Sequence, residues 1–217
     1  MLDLNFITRT APLFADGLRI TLLLSVLGIL GSLIGGGFVV AASRSRVAAV
    51  RGIARAYIEI MRNTPVIIQM FLIYFGLASL NIRFPAFICA LLAIVLQNSA
   101  YIGEIYRVGI DSISRRQFES AIALGMLPRT ALITMVLPQA IRRILPPIGN
   151  QFVAIIKDTS IASTITVFEL THTAKLMLER TAAPYEIYAM LSILYLFLTC
   201  VTLAALKIVE TAFPVRN

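Results

Sequence analysis

The stretch RRQFESAIALGMLPRTALITMVLP, residues 115–138, decides how this chain folds. It begins with two arginines, carries Glu119 among small residues, and is interrupted at Gly125 and Pro138. Glycine and proline are the residues that most often end a helix or form a joint between two helices. We therefore predict short helices in this stretch, with joints at Gly125 and Pro138.

The rest of the chain is apolar enough to lie in a lipid bilayer. Hydrophobic residues make up 59% of the 217 positions, charged residues make up only 14%, and the mean hydropathy is +0.87. A soluble domain carries about a quarter charged residues, so this composition indicates an integral membrane protein. Both cysteines, Cys89 and Cys200, lie in apolar runs, which predicts buried packing thiols and argues against a disulfide or a metal site.

Five apolar segments are long enough to span a bilayer as helices, which takes about 20 residues each. We therefore predict an all-α integral membrane protein with a single transmembrane domain over residues 1–217 and five transmembrane helices. Within the first segment, the spacing Gly31-x-x-x-Gly35 predicts close packing against another helix. The predicted spans lie near residues 17–42, 64–80, 85–106, 145–167 and 185–206.

Prolines predict where two of these spans begin. The pair Thr64–Pro65 is typical of a helix start, because a threonine oxygen can accept a first-turn N–H and proline suits the first turn. Pro146 and Pro147 lack backbone N–H groups, so the fourth helix is expected to start or break there. The fourth span is also interrupted by polar residues, namely Asn150, Gln151, Lys157 and Asp158.

Basic residues are distributed unevenly between the two sides of the predicted spans. The links after the first and third spans, together with the carboxyl-terminal tail, hold most of the 19 lysines and arginines. By the positive-inside rule these segments are cytoplasmic, so the C-terminus is cytoplasmic and the N-terminus lies outside. The same asymmetry accounts for the formal net charge of +8, so no nucleic-acid partner is expected.

The sequence carries no motif of an enzyme. It has no G-x-x-x-x-G-K-[ST] phosphate-binding loop, and its single histidine, His172, has no second metal-type ligand beside it. No Ser-His-Asp or Cys-His arrangement suggests itself. We therefore expect no catalytic residue, no metal site and no cofactor bound by this chain.

Polar residues inside the predicted spans are more informative, because placing them in hydrocarbon is costly. In the third span, Asn98, Tyr101 and Glu104 recur every three residues and therefore lie near one helix face. Arg107 continues the series and can pair with Glu104 as an i, i+3 neighbour. Two functions remain open for Glu104 and Arg107: lining a solute pathway, or forming an ion pair that holds helices together near the cytoplasmic interface.

The fourth predicted span contains Lys157 and Asp158, followed by several hydroxyl residues. Opposite charges beside hydroxyls could bind both ends of a zwitterionic solute if they face a cavity. The alternative is mutual neutralisation of the two charges, with the hydroxyls bonding back to helix carbonyls. The candidate substrate-pathway residues of the two spans are Asn98, Tyr101, Glu104, Lys157, Asp158, Thr159, Ser160 and Ser163.

Residues 115–138 also contain a motif whose residues are set at fixed intervals. Residues 119–121 (ESA) are followed after three positions by Gly125, and after nine more by residues 135–138 (MVLP). This pattern resembles the EAA loop, E-A-A-x3-G-x9-I-x-L-P, of the membrane subunits of binding-protein-dependent ABC importers. The spacing agrees in full, and Ser120 and Met135 are the two departures from the pattern.

The resemblance covers the chain from about Gly17 to Glu210 and favours one branch of these importers, the polar amino acid uptake family. It implies a type I ABC importer permease, whose EAA loop forms short cytoplasmic coupling helices that seat in a groove of a separate ATPase subunit. The four segments that look like this family in particular are residues 57–76, 99–113, 137–150 and 157–163.

The residues of the EAA loop agree with such a contact. Phe118, Ala121, Ile122 and Gly125 would lie on one face of a short helix and offer an apolar surface to a partner. The alternative is an amphipathic helix lying on the membrane surface. The residues expected to couple to the ATPase are Arg115, Gln117, Phe118, Glu119, Ser120, Ala121, Leu124, Gly125 and Met126.

The resemblance implies ATP-driven uptake of a polar or charged amino acid, or of a close derivative such as an opine, across the bacterial inner membrane. ATP and Mg would be bound by the ATPase subunits. Further expected partners are a second permease copy (homodimer) or a related permease (heterodimer), a periplasmic or lipid-anchored solute-binding protein, and membrane lipid.

Three other functions are weighed against this one. An ABC importer permease for another small solute, such as an osmolyte, a metal or an oligopeptide, would keep the EAA loop and change the cargo. A secondary carrier or channel would transport without any ATPase subunit. A non-transporting scaffold would leave the charges inside the spans unexplained.

Overall fold

The computed structural model describes residues 4–181 and 183–212, and within these ranges the chain is helical with no β-strand. This confirms the all-α fold. The helices are α1 (Leu4–Ser43), α2 (Ala48–Asn63), α3 (Val66–Phe71), α4 (Leu77–Ser79), α5 (Ala86–Asp111), α6 (Arg115–Ala123), α7 (Pro128–Ala131), α8 (Leu137–Asp158), α9 (Leu170–Thr181) and α10 (Pro184–Ala212).

Length and composition identify three described helices that can cross a membrane, within Thr10–Ser43, Ala86–Asp111 and Pro184–Thr211. A fourth crossing results if the bent pair Ala48–Asn63 and Val66–Ser79, which meet at 106°, forms one span. The five-span count and the orientation stay predictions. The predicted fourth span corresponds to α8 and the 3-10 helix that follows it, which are helical but rich in polar residues.

The first and third predicted spans pack closely through glycines of α1. A Cβ atom on Gly31 would clash with Val95 of α5, and one on Gly35 would clash with Ser99. Bulkier residues at these positions would therefore push the two helices apart. This is the close approach that the Gly31-x-x-x-Gly35 spacing predicts. Leu24 of α1 lies fully buried in the adjoining core.

The break between α2 and α3 is organised by polar side chains. α3 begins at Val66, directly after Thr64–Pro65, as predicted. The Thr64 hydroxyl, however, donates backwards to the carbonyl of Ile60 at 2.8 Å, so it serves the end of α2. The buried Gln69 amide donates to the carbonyls of Met61 (3.1 Å) and Thr64 (3.2 Å). Helix-end carbonyls that have no partner inside their helix are thereby satisfied.

The predicted joint at Pro138 is wrong. α7, a π-helical turn (Leu132–Val136), α8 and a 3-10 helix (Thr159–Ile165) follow one another without a gap. Proline cannot donate a backbone hydrogen bond, and here the preceding turn widens so that the Leu137 N–H reaches the Leu132 carbonyl, five residues back. Residues Pro128–Ile165 therefore form one continuous helical rod. The rod continues through Pro138 because the extra residue of the π turn makes room for the proline ring.

The predicted start or break at Pro146 and Pro147 is also wrong, because both lie inside the unbroken helix α8. Neighbouring helices hold α8 on both sides of the prolines. Ile144 packs against a glycine of α5, and Gly149 packs against a leucine of α10. Tertiary contacts of this kind offset the hydrogen bonds that proline removes from a membrane helix.

The two cysteines differ in their surroundings. Cys89 is buried in the core cluster around α5, as predicted. Cys200 is exposed on α10, so the prediction of a buried thiol is wrong at this position. An apolar run predicts that a residue avoids water, but it does not say whether the residue faces protein or lipid.

Candidate functional site

The fold brings two of the candidate pathway residues together in the middle of the helical bundle. Asn98 of α5 is almost fully buried, and its Nδ2 atom lies 3.4 Å from Oδ2 of Asp158 at the end of α8. The same nitrogen donates to the carbonyl of Ile94 at 2.9 Å. The other side of the Asn98 amide accepts a hydrogen bond from Gln151. The side chains of Asn98, Gln151 and Asp158 therefore form one polar cluster between α5 and α8.

Lys157 does not neutralise Asp158. Its side chain is exposed, and in the described part of the chain no ion pair joins Lys157 to Asp158. The alternative of mutual neutralisation is therefore wrong for this structure. Asp158, which is half-buried, is left with a single long hydrogen bond from Asn98 among the described side chains. It keeps most of its capacity to accept hydrogen bonds.

The hydroxyl residues after Asp158 are mostly satisfied locally. Thr159 donates to the Ile156 carbonyl and Ser160 to the Lys157 carbonyl, both at 2.7 Å. This agrees with the alternative in which the hydroxyls bond back to their own helix. Ser163 is buried and accepts a hydrogen bond of 2.9 Å from the ammonium of Lys175, on α9.

The other two candidates, Tyr101 and Glu104, line an open cavity of 560 Å³ between α5 and α8. The other polar residues that line this cavity are Arg62, Ser112, Arg143, Asn150 and Gln151. The sequence did not identify them as candidate pathway residues, although Asn150 and Gln151 stood out as polar residues within the fourth predicted span.

Glu104 is held by arginines, which confirms the predicted pairing with Arg107. The Arg107 guanidinium donates to both carboxylate oxygens of Glu104, at 2.9 and 2.7 Å. Arg62 approaches the same carboxylate at 3.8 Å and lies 5.2 Å from the centre of the Tyr101 ring. Glu104 is therefore engaged on two sides, unlike Asp158, and its ion pairs tie α2 to α5.

The ion pairs continue to the end of α5. Arg107 lies 3.7 Å from Asp111, and Asp111 pairs with Arg44, just after α1, at 2.9 Å. These charges are about half exposed, where each pair contributes little to stability. They connect the residue after α1 to the end of α5.

The EAA loop begins with α6 and turns sharply at Gly125, as predicted. Gly125 has φ +89°, in the left-handed region that favours glycine. Its N–H donates to the Ile122 carbonyl at 2.9 Å, and the Met126 N–H donates to the Ala121 carbonyl at 3.1 Å. This pattern of bonds is a Schellman-type helix end, which makes Gly125 a fixed turn.

The apolar face of α6 is divided between the protein core and the surface. Ala121 is buried, and Phe118 packs against the cluster of Ile113, Val136 and Ala140. These two side chains therefore pack against the chain itself and are not fully exposed, and their coupling to an ATPase stays a prediction. Exposed apolar side chains instead lie around the turn, with Leu124 at 85% and Leu127 at 71% exposure. The polar residues Gln117, Glu119 and Ser120 are also exposed, and the side chain of Arg115 lies outside the described part.

Sequence reasoning missed a second buried carboxylate. Glu169 immediately precedes α9, is 0% exposed, and accepts hydrogen bonds from the backbone of Thr171 and His172, each at 2.8 Å. The Tyr195 hydroxyl of α10 donates to the same carboxylate at 2.9 Å. A signal was present, since an acidic residue just before a helix start satisfies free N–H groups there.

The described residues contain no group of three or more His, Cys, Asp or Glu side chains that could hold a metal ion. His172 lies beside Phe168, with its ring 4.6 Å from the phenyl ring in an edge-on arrangement.

Comparison with known proteins agrees with the EAA motif. The family described as binding-protein-dependent transport system inner membrane component matches residues 28–213. A nopaline transport system permease of Agrobacterium fabrum is 37% identical, over 96% of this chain and 91% of that protein. A glutamine transport system permease of Escherichia coli is 34% identical, over 96% of both chains.

A probable amino-acid ABC transporter permease of Sinorhizobium fredii is 35% identical, over 99% of this chain and 93% of that protein. The crystal structure of an amino acid ABC transporter with histidines contains a chain of the same fold. Its TM-score is 0.91 at 32% identity, covering 98% of this chain and 99% of that one. A chain of the MetNI methionine ABC transporter, with a TM-score of 0.76 at 15% identity over 94% of this chain and 97% of that one, supports the fold alone.

These relatives are permease subunits, they match nearly the whole chain, and the solved ones share its arrangement of helices. The chain therefore belongs to the inner membrane components of binding-protein-dependent transport systems, as a multi-pass permease with the type I ABC importer fold.

Proposed function

We propose that this chain is the permease subunit of an ATP-driven importer for a polar or charged amino acid, or for a close derivative such as an opine. Relatives named for glutamine and nopaline transport support this class of solute. The observation that carries the proposal is the exposed apolar turn of the EAA loop, where Leu124 and Leu127 have no cover from the rest of the described chain. A separate ATPase subunit would bury this turn.

The loop is built to pass on a movement. Phe118 and Ala121 anchor α6 to the helical rod, and that rod runs without a gap from Pro128 to Ile165. A displacement of the loop would therefore reach Asp158, which lies on the same rod. The distance along the rod from Pro128 to Asp158 is about 45 Å, at about 1.5 Å per residue. ATP binding and hydrolysis, with Mg, take place in this proposal on the partner ATPase.

The cavity between α5 and α8 is the proposed solute pathway. Tyr101 and Glu104 line it. Asp158 is not part of the lining but is connected to it through Asn98 and Gln151, and it keeps unused capacity to accept hydrogen bonds from a solute ammonium or guanidinium group. The exposed Lys157 is the proposed partner for a solute carboxylate. Because the cavity is open, a second permease, either an identical copy or a related chain, would complete it.

The remaining parts of the proposal concern the setting. A periplasmic or lipid-anchored solute-binding protein would deliver the solute to the outer side of a bacterial inner membrane. The N-terminus would lie outside and the EAA loop in the cytoplasm, as the distribution of basic residues predicts.

Replacement of Leu124 by Asp tests the coupling surface. Burying a leucine contributes about 1.5–3 kcal/mol, and a buried aspartate adds a desolvation cost, so association with the ATPase is expected to weaken at least about tenfold. The measurement is the amount of ATPase that co-purifies with the permease in detergent, together with ATP-dependent uptake in proteoliposomes. Both are expected to fall.

A matched control is Leu80→Asp, because Leu80 is also strongly exposed (69%) but lies in the link between α4 and α5, on the side predicted to be outside. This variant is expected to keep the ATPase bound. Unchanged association and uptake in Leu124→Asp would contradict the docking proposal and favour a helix that lies on the membrane surface. Uptake that persists without any ATPase subunit would favour a secondary carrier.

A further inference from the structure

Gln151 lies between the open cavity and the buried end of the polar cluster. It is half-buried on α8, it lines the 560 Å³ cavity, and its Nε2 atom donates to Oδ1 of Asn98. The motifs of the sequence do not assign it a function. Its place in the cluster makes it the link between the cavity and Asp158.

The hydrogen bonds of Asn98 fix the direction of this link. The Ile94 carbonyl can only accept, so the atom 2.9 Å from it must be the Asn98 nitrogen. The Asn98 oxygen therefore faces Gln151 and accepts its N–H. The second N–H of Asn98 is then left for Oδ2 of Asp158, 3.4 Å away. Donors run in one direction, from Gln151 through Asn98 to Asp158.

We propose that Gln151 is a positioning residue for solute binding, which acts through Asn98 to present the Asp158 carboxylate to an ammonium group of the solute. By occupying the Asn98 oxygen, Gln151 keeps an N–H group on one oxygen of Asp158. The other carboxylate oxygen has no partner among the described residues and is free for the solute. This inference rests on the proposed function, in which Asp158 contacts the solute.

Loss of the Gln151 donor has a defined consequence. The Asn98 oxygen would be buried without a hydrogen bond, because Asn98 is only 1% exposed. If the Asn98 amide rotated by half a turn to relieve this, its oxygen would face the Ile94 carbonyl and the Asp158 carboxylate, which can only accept hydrogen bonds. Either outcome removes the N–H from Asp158 or loosens it, so the carboxylate loses its fixed orientation.

The test uses the complete importer in proteoliposomes, with its ATPase subunits and its solute-binding protein. The probe is whichever of L-arginine, L-glutamine and L-glutamate the wild-type complex takes up fastest. Gln151→Leu is expected to raise the KM for uptake about tenfold, which corresponds to one hydrogen bond to a charged group. The maximal rate is expected to stay within about twofold, since coupling to the ATPase is not altered.

A double variant separates positioning from a merely structural effect. If Gln151 acts through Asp158, Gln151→Leu combined with Asp158→Asn is expected to match Asp158→Asn alone. The control is Gln139→Leu, on the same helix, because the Gln139 amide bonds only to the Met135 carbonyl one turn away. This control is expected to keep the wild-type KM.

Three results would overturn the inference: effects that multiply in the double variant, a fall in maximal rate with an unchanged KM, or an equal rise in KM for Gln139→Leu. A wild-type complex that shows no ATP-dependent uptake of these three amino acids or of an opine such as nopaline would instead overturn the proposed function, and the inference with it. The two failures are therefore distinguishable.

Discussion

Two carboxylates, Glu169 and Asp158, lie only a short distance apart in the sequence but in very different surroundings. Glu169 is fully buried and accepts three hydrogen bonds of 2.8 to 2.9 Å, two from backbone N–H groups and one from Tyr195. Asp158 is half-buried and has one hydrogen bond of 3.4 Å, from Asn98.

The difference separates a carboxylate that serves the fold from one that is available for binding. A buried charge is costly unless donors surround it, and short hydrogen bonds to a carboxylate are about twice as strong as neutral ones. The donors of Glu169 come from two helices, α9 and α10, so this carboxylate joins them. Asp158 lacks such a set, and a solute ammonium could supply what is missing.

The largest expected effect is that of Glu169→Leu. Leucine has a similar volume but accepts no hydrogen bond, so the N–H groups of Thr171 and His172 would be buried without partners. The Tyr195 hydroxyl would keep only its hydrogen bond with the Thr171 hydroxyl, at 3.2 Å. We expect a loss of at least about 3 kcal/mol in the free energy of unfolding. The measurement is the unfolding of the purified permease by sodium dodecyl sulfate in mild detergent.

Glu169→Gln is the matched variant, because its amide oxygen still accepts hydrogen bonds, and it is expected to lose less stability. If Glu169→Leu unfolds at the wild-type detergent concentration, Glu169 does not serve the fold and the contrast with Asp158 is lost.

The second prediction concerns Asp158→Asn. Asparagine keeps the volume and one acceptor oxygen but removes the negative charge, so stability is expected to change by less than about 1 kcal/mol. Uptake is expected to fall about tenfold or more, because the bond to a solute cation is lost. Uptake in proteoliposomes and unfolding in detergent are measured on the same preparation. Loss of assembly, with no folded protein recovered, would place Asp158 with Glu169 among the residues that serve the fold.

The comparison also indicates what the sequence could predict. The EAA spacing located the turn at Gly125, and Gly31-x-x-x-Gly35 located the packing of α1 on α5, because each depends on the residue type at a fixed spacing. The breaks predicted at Pro138 and at Pro146 and Pro147 were wrong, because a π turn and neighbouring helices compensate there for the missing N–H groups.

The candidate site was predictable only in part. The cost of a charge inside a span singled out Asp158 and Glu104. The partners of each carboxylate come from distant parts of the chain, so the sequence could not distinguish Glu104, held by Arg107 and Arg62, from the nearly free Asp158. Glu169 was missed for the same reason, because its donor Tyr195 lies on another helix.

The smallest expected effect is that of Tyr195→Phe, which removes one donor from Glu169 and keeps the aromatic ring. The two backbone N–H groups still bond to the carboxylate, so the loss is expected to be about 1 kcal/mol in detergent unfolding, with uptake unchanged. Because the hydroxyl of Tyr195 also bonds to the Thr171 hydroxyl at 3.2 Å, this variant measures the contribution of the Tyr195 hydroxyl as a whole, for comparison with the loss in Glu169→Leu. A loss as large as that of Glu169→Leu would mean that the Tyr195 hydroxyl, and not the two backbone N–H groups, accounts for the stabilising effect of Glu169. A fall in uptake without a change in stability would instead mean that Tyr195 and Glu169, like Asp158, act in transport and not in stabilising the fold.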